Sequence, residues 1–139
     1  MVVEFKTDAP VAVEQYVDLL IRSGLGQRRP IDDRACIEGM VRNASLLVTA
    51  WDGDHLIGAA RSLTDFRYAC FLSDLAVDRA YQRRGIGRRL LELTRQVLGP
   101  RCKIRLISAP LATAYYAMLG FVRNERCWEL LPQGASTDA

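Results

Sequence analysis

Apolar and polar positions along this chain follow two periods, and the switches between them outline the elements. Residues 2–7 read as a short strand. Val13, Tyr16, Val17, Leu20 and Ile21 then recur at helical spacing, and Gly24 and Gly26 stop that helix. Gly26 to Pro30 is a basic loop. Asp32 or Asp33 is placed to cap a second helix that runs to about Arg42 and buries Cys36, Ile37, Met40 and Val41. Ser45 to Trp51 is an apolar strand, Asp52-Gly53-Asp54 a hairpin turn, and His55 to Leu63 the returning strand. After a loop at Thr64 to Arg67, Tyr68 to Val77 forms a long central strand. A helix follows to Leu98, where Gly99-Pro100 breaks it. Lys103 to Ser108 is a strand, Pro110 to Leu119 a short helix, and Phe121 to Leu131 carries one or two last strands around a turn near Asn124. Gln133 to Ala139 is a polar, loose tail. The pattern contains no repeat or linker, so residues 1–132 are expected to form a single domain.

The junction after the central strand holds the most chemistry. Leu75-Ala76-Val77 runs into Asp78-Arg79-Ala80-Tyr81-Gln82-Arg83-Arg84-Gly85-Ile86-Gly87-Arg88, and an amphipathic helix starts at once. Its apolar stripe is Ile86, Leu90, Leu93 and Val97, with Leu91, Thr94 and Leu98 beside it. The first turn of any helix has backbone N–H groups without intrahelical partners. Glycine at 85 and 87 lets an anion approach those groups closely, and Arg83, Arg84 and Arg88 add positive charge. The segment therefore has the makings of a phosphate cradle. It is not a dinucleotide fingerprint, because position 90 is leucine where a third glycine is needed. It is not a nucleoside-triphosphate loop, because no Gly-Lys-Ser/Thr triplet occurs.

What remains is Gln-x-x-Gly-x-Gly between a strand and a helix, and this resembles the coenzyme A pyrophosphate loop of the GNAT superfamily of N-acetyltransferases. A second motif, Ala114-Tyr115-Tyr116-Ala117-Met118-Leu119-Gly120-Phe121, is similar to the signature near the end of that domain. Gly120 would end the short helix in a left-handed conformation. The two motifs together span roughly residues 45 to 131. The resemblance implies an α/β fold of order β-α-α-β-β-β-α-β-α-β: a mixed, mostly antiparallel sheet with splayed central parallel strands, flanked by helices. The splay is expected around residues 74–77 and 104–108, with the pantetheine arm in the gap.

The resemblance also implies the reaction: direct transfer of an acetyl group from acetyl-CoA to an amine. Backbone groups of Leu75, Ala76 and Val77 would pair with the pantetheine amides as an added strand does. Gln82, Arg83, Arg84, Gly85, Ile86, Gly87 and Arg88 would surround the pyrophosphate, helped by the helix dipole. A strand N–H near residue 76 or 77 would meet the oxyanion. Tyr116 is the expected general acid for the thiolate, with Tyr115 as a packing neighbour. An alkyl ammonium of pKa about 10.4 must lose a proton before it attacks. Asp74 is the candidate base, with Ser73 beside it; the other role open to Asp74 is structural, ordering a neighbouring loop or capping. Asp65, Phe66, Tyr68 and Glu38 are acceptor-pocket candidates by location. One departure stands out: many family members carry Asn seven residues before the motif tyrosine, and here that position is Ala109, which leaves Ser108 to substitute in part.

Bulk properties narrow the field. A chain of 139 residues, half hydrophobic and 25% charged, suits a globular domain. No apolar run reaches membrane-span length, and no leader is visible, so the default compartment is the cytoplasm. Cys36, Cys70, Cys102 and Cys127 form no Cys-x-x-Cys pair and His55 is the only histidine, so no metal is expected and the thiols read as reduced and buried or semi-buried. Of the 19 lysines and arginines, nine (Arg79, Arg83, Arg84, Arg88, Arg89, Arg95, Arg101, Lys103 and Arg105) lie between positions 79 and 105 with one acid, Glu92. Aromatics are not interleaved with them as single-strand binders require, so an anionic cofactor accounts for them better than nucleic acid. The expected partner is a small-molecule or protein amine, with a homodimer as the analogous assembly. Two alternatives stay open: a non-catalytic acetyl-CoA sensor, and a toxin that acetylates charged transfer RNA.

Overall fold

The computed structural model describes residues 2–134. The described residues form two compact units, residues 2–107 and 108–134. The first contains β1 (Glu4–Lys6), α1 (Val13–Ser23), α2 (Arg34–Arg42), β2 (Leu46–Asp52), β3 (His55–Thr64), β4 (Ala69–Val77), α3 (Ile86–Leu98) and β5 (Lys103–Arg105). The five strands form one sheet in the order β1-β2-β3-β4-β5. Pairing is antiparallel from β1 to β4, while β4 and β5 run parallel.

Local chemistry sets most boundaries. Gly24 adopts φ 86° and ends α1 in the left-handed conformation that costs a glycine nothing. The Asp33 carboxylate accepts the Cys36 N–H at 3.0 Å and so caps α2. Along the strands, neighbouring residues point to opposite faces. One face packs Trp51, Leu56, Ala59 and Ala76 against Tyr16, Leu19, Leu20 and Ile37 of α1 and α2. The other receives α3 at Gly58, where an added Cβ would lie 3.2 Å from both Ile86 Cγ2 and Leu90 Cδ1. A residue without a side chain is what lets α3 approach the sheet so closely.

Several expectations need correction. Cys36 is exposed; of the α2 residues expected inside, Ile37 is buried while Met40 and Val41 are half-buried. A helix that faces the core with residues 37, 40 and 41 turns residue 36 about 100° away. Cys127 is also exposed, Cys70 is buried and Cys102 half-buried, and all four thiols are free. The buried face of α3 is Ile86, Gly87, Leu90, Leu91, Thr94 and Leu98, with Val97 exposed, so the apolar stripe is rotated from its expected centre. Thr94 is accommodated because its hydroxyl donates to the Leu90 carbonyl at 2.8 Å. No described helix is long and apolar enough to cross a membrane.

The second unit begins with a tight turn at Pro110–Ala112 and continues into α4 (Thr113–Met118). Gly120 takes φ 98°, the left-handed end expected of it. None of residues 121–131 is in a strand, contrary to the expected last strands, although a turn does close at Asn124, whose carbonyl accepts the Cys127 N–H at 3.3 Å. A strand exists only through its ladder partner, and a segment's own apolar content cannot supply one. Of the tail, Gln133 and Gly134 lie in a turn, and residues 135–139 fall outside those described.

Candidate active site

The site residues of the first unit gather at the end of β4 and the start of α3. β5 pairs with β4 only from Ala69↔Lys103 to Phe71↔Arg105, yet β4 continues to Val77. Beyond Phe71 the β5 side of β4 therefore carries no ladder partner among the described residues, and Leu75, Ala76 and Val77 lie on this stretch. That is the separation of parallel strands expected around 74–77, reached with a β5 that ends at Arg105 rather than Ser108.

The connection to α3 is tied down from several sides. Asp78 accepts the Ala80 N–H at 2.8 Å and also pairs with Arg22, whose Nη2 donates to the Leu56 carbonyl at 2.8 Å. Burial pushes the Asp78 carboxyl up, but the Ala80 N–H and the Arg22 guanidinium outweigh it and hold it below the ordinary range. Tyr81 donates to Asp52 Oδ2 at 2.7 Å, and the Gln82 amide donates to the Val77 carbonyl at 3.1 Å. Arg84 lies over the Tyr81 ring at 5.4 Å.

Arg83 and Gly85 both sit at positive φ, 66° and 77°. Gly85 is the N-cap of α3, and no side chain caps that terminus. The leading N–H groups of α3 have no intrahelical acceptors, so they remain for an anion. A Cβ on Gly85 would meet nothing within 4 Å, which leaves open space in front of this helix end. Gln82, Arg83, Arg84, Gly85 and Arg88 are exposed around it, while Ile86 and Gly87 are buried on the sheet side. Among the described residues no group of three or more His, Cys, Asp or Glu could hold a metal ion.

Asp74 lies in a network that the sequence did not disclose. A bulge between Arg61 and Ser62 pairs Arg61 with Asp74 and Ser62 with Leu72, leaving Ser73 without a partner on β3. Arg61 Nε donates to Asp74 Oδ2 at 2.5 Å, and its Nη2 to Ser73 Oγ at 2.8 Å. Arg29, from the loop between α1 and α2, donates through Nε to Asp74 Oδ1 at 2.7 Å and through Nη2 to the Ser73 carbonyl at 2.7 Å. The Tyr16 hydroxyl donates to Asp74 Oδ2 at 2.7 Å. Asp74 is 1% exposed and Arg61 5%. Burial pushes the Asp74 carboxyl up, but the hydrogen bond and charge of Arg61, followed by Tyr16 and Arg29, more than offset it and leave the group below its ordinary range. Burial and the Asp74 charge push the Tyr16 hydroxyl well up, so it stays a neutral donor. Tyr16, Arg29 and Arg61 were not among the expected site residues. One signal was available: Arg61 is the lone charge inside an apolar strand.

Asp65 accepts the N–H groups of Arg67, Tyr68 and Ala69 at 2.9, 2.8 and 3.1 Å, which shapes the β3–β4 loop. Phe66 and Tyr68 are exposed there, and Glu38 is half-buried on α2. In the second unit Tyr116 is half-buried on α4, with Tyr115 and Phe121 each edge-on to its ring at 5.5 Å. The Tyr116 carbonyl accepts the Phe121 N–H at 3.1 Å, so the Gly120 turn folds the two motif aromatics together.

Comparison with known proteins bears on this arrangement. A family model described as an acetyltransferase (GNAT) domain matches residues 29–129. No curated protein matches the chain. Among solved structures, a probable acetyltransferase of unknown function from meticillin-resistant Staphylococcus aureus is 25% identical, with TM-score 0.78, covering 95% of this chain and 99% of that one. An aminoglycoside acetyltransferase from an uncultured soil metagenomic sample, in complex with sisomicin, is 16% identical with TM-score 0.68, over 94% of this chain and 95% of that one. The protein AAC(6')-Iy, in complex with the bisubstrate analog CoA-S-monomethyl-acetylneamine, is 18% identical with TM-score 0.70, over 96% and 99%. With the family model matching well over half of its residues, the chain belongs to the GNAT family and is an acetyltransferase.

Proposed function

We propose that this enzyme transfers the acetyl group of acetyl-CoA to a primary amine by direct attack, within one catalytic domain comprising residues 1–132. The observation that carries this reading is the pairing of an uncapped, glycine-led α3 with the partner-free stretch of β4 that leads into it. Left-handed residues in a tight turn aim successive N–H groups into one concavity suited to a pyrophosphate. Arg83, Arg84 and Arg88 add charge to that concavity, and the amide of Gln82 fixes the carbonyl of Val77. The pantetheine amides then pair with Leu75, Ala76 and Val77 as an added strand would. A strand N–H near residue 76 or 77 meets the oxyanion.

Tyr116 serves as the acid that protonates the departing thiolate. Of the two roles open to Asp74, its surroundings favour anchoring. Both carboxylate oxygens already accept from charged or neutral donors, and a carboxylate held below its ordinary range is a weaker base. A water in contact with solvent then takes the ammonium proton. The acceptor is a small-molecule or protein amine. The relatives that act on or bind aminoglycosides support a small molecule.

Calorimetric titration with acetyl-CoA tests the cofactor assignment. Micromolar binding is expected, and it should vanish in Gly87→Glu, which places a carboxylate at the helix terminus. A wild type that binds no acetyl-CoA, or a variant with full affinity, would overturn the assignment.

A further inference from the structure

The two guanidinium groups at the β4 bulge share one carboxylate. Among the described residues Asp74 is the only acid in an ion pair with either Arg29 or Arg61. With Tyr16 neutral, the group carries one unbalanced positive charge, mostly withdrawn from water. Buried charges are normally paired. Arg29 has the means to take a partner. A guanidinium has five N–H donors, and three are engaged: Nε with Asp74, Nη1 with the Arg28 carbonyl and Nη2 with the Ser73 carbonyl. One hydrogen on each terminal nitrogen remains, and its side chain is 22% exposed. Two free N–H donors on one guanidinium can serve the two oxygens of a carboxylate.

The neighbouring surface gives the rest of a subsite. Register puts Arg61 opposite Asp74 and Leu63 opposite Phe71, so all four share the face of the sheet covered by α1 and α2. Leu63 and Phe71 are 44% and 40% exposed, forming an apolar floor next to the charge. Ser73 and Ala76 are three positions apart, roughly 10 Å along a strand. That is within reach of the thioester if acetyl-CoA lies along β4.

We propose that Arg29, fixed by Asp74 at the β4 bulge, binds a carboxylate of the acceptor, so that the amine acetylated here carries an acid group and an apolar body resting on Leu63 and Phe71. Its location beside the thioester rests on the acetyl-CoA assignment above. A polycationic amine meets repulsion at the same place. Arg61 is the positioning residue that doubles the charge and holds Ser73.

Two readouts separate this proposal from the transfer reaction. With the CoA-loaded protein, N-acetylphenylalanine and N-acetylphenethylamine, which differ by the carboxylate, are titrated by calorimetry; N-acetylleucine and N-isoamylacetamide form a second pair. The acid should bind at least tenfold tighter in one or both pairs. Arg29→Gln, which keeps a donor for Ser73, should bring that ratio close to one. If neither acid binds better than its neutral partner in the wild type, the subsite is refuted, whatever the variant's stability. Thiol release from acetyl-CoA is then measured with phenylalanine, leucine, the two decarboxylated amines and spermidine. Faster turnover of the carboxylated amines supports the proposal. Equal or faster turnover of phenethylamine or spermidine refutes the subsite and leaves acetyl transfer standing. Tight binding of the acids with no thiol release from any amine supports the subsite and counts against the transfer reading.

Discussion

Asp74→Asn separates the anchoring role from the catalytic one. The substitution keeps the size of the side chain and removes its charge. It leaves Arg61, whose side chain is 6% exposed, without a counter-charge, and it offers an amide N–H₂ where donors already converge. Removing one partner of a buried ion pair costs about 3–5 kcal/mol. The remaining Asn carbonyl still accepts one bond, and Arg29 is partly solvated, so the lower end of about 3 kcal/mol applies. For a domain of this size that corresponds to a fall in melting temperature of roughly 10 °C.

The pH dependence follows from the direction of the shift. The folded-state pKa of Asp74 is lowered, so its stabilisation is fully present above the unfolded value of about 3.9 and is lost as pH falls through the folded value. The gap between wild type and Asp74→Asn, measured by urea unfolding or calorimetry, should therefore be constant at pH 6–8 and close below about pH 4. A gap under about 1 kcal/mol at pH 7 would refute the reasoning, because a solvated pair costs no more than that to lose. A catalytic base predicts the opposite pattern: an unchanged melting temperature and loss of the acidic limb of the kcat/KM profile.

Other substitutions test other parts of the structure. Gly58→Val should cost about 1–3 kcal/mol in urea unfolding, because Ile86 and Leu90 leave no space for a branched side chain; an unchanged midpoint would show that α3 sits farther from the sheet. Asp33→Ala removes the cap on the Cys36 N–H and should cost about 1 kcal/mol without altering acetyl-CoA affinity. Tyr116→Phe should lower kcat about 100-fold with acetyl-CoA affinity retained, measured by thiol release; full turnover would remove the acid role. Arg83→Gly relieves a left-handed non-glycine residue, so its melting temperature should hold or rise while acetyl-CoA binds more weakly. Retained affinity with a lower melting temperature would contradict that account.

Elements with strong local signals were readable in the chain itself. Gly24, Asp33, Gly85 and Gly120 each mark a helix end through backbone conformation or a local bond, and the Asp52–His55 hairpin carries its own turn. Features that depend on distant partners were not. The strands expected in residues 121–131 required a ladder the segment could not specify, and which residues of α3 are buried depended on the sheet it packs against, where Gly58 faces Ile86 and Leu90. Arg61 was conspicuous in an apolar strand, but nothing nearby in sequence named its partners.

The sequence by itself determined the two glycine-bearing motifs, the order of elements through α4 and the basic helix start, because caps, turns and periodicity act over a few residues. Only the tertiary structure decided that Asp74 would be enclosed by Tyr16, Arg29 and Arg61, residues 58, 45 and 13 positions away along the chain. The bulge that exposes Ser73 to both guanidinium groups is a property of the register between β3 and β4. Charge pairing inside a protein depends on which groups the fold brings out of water together, and no local pattern encodes that.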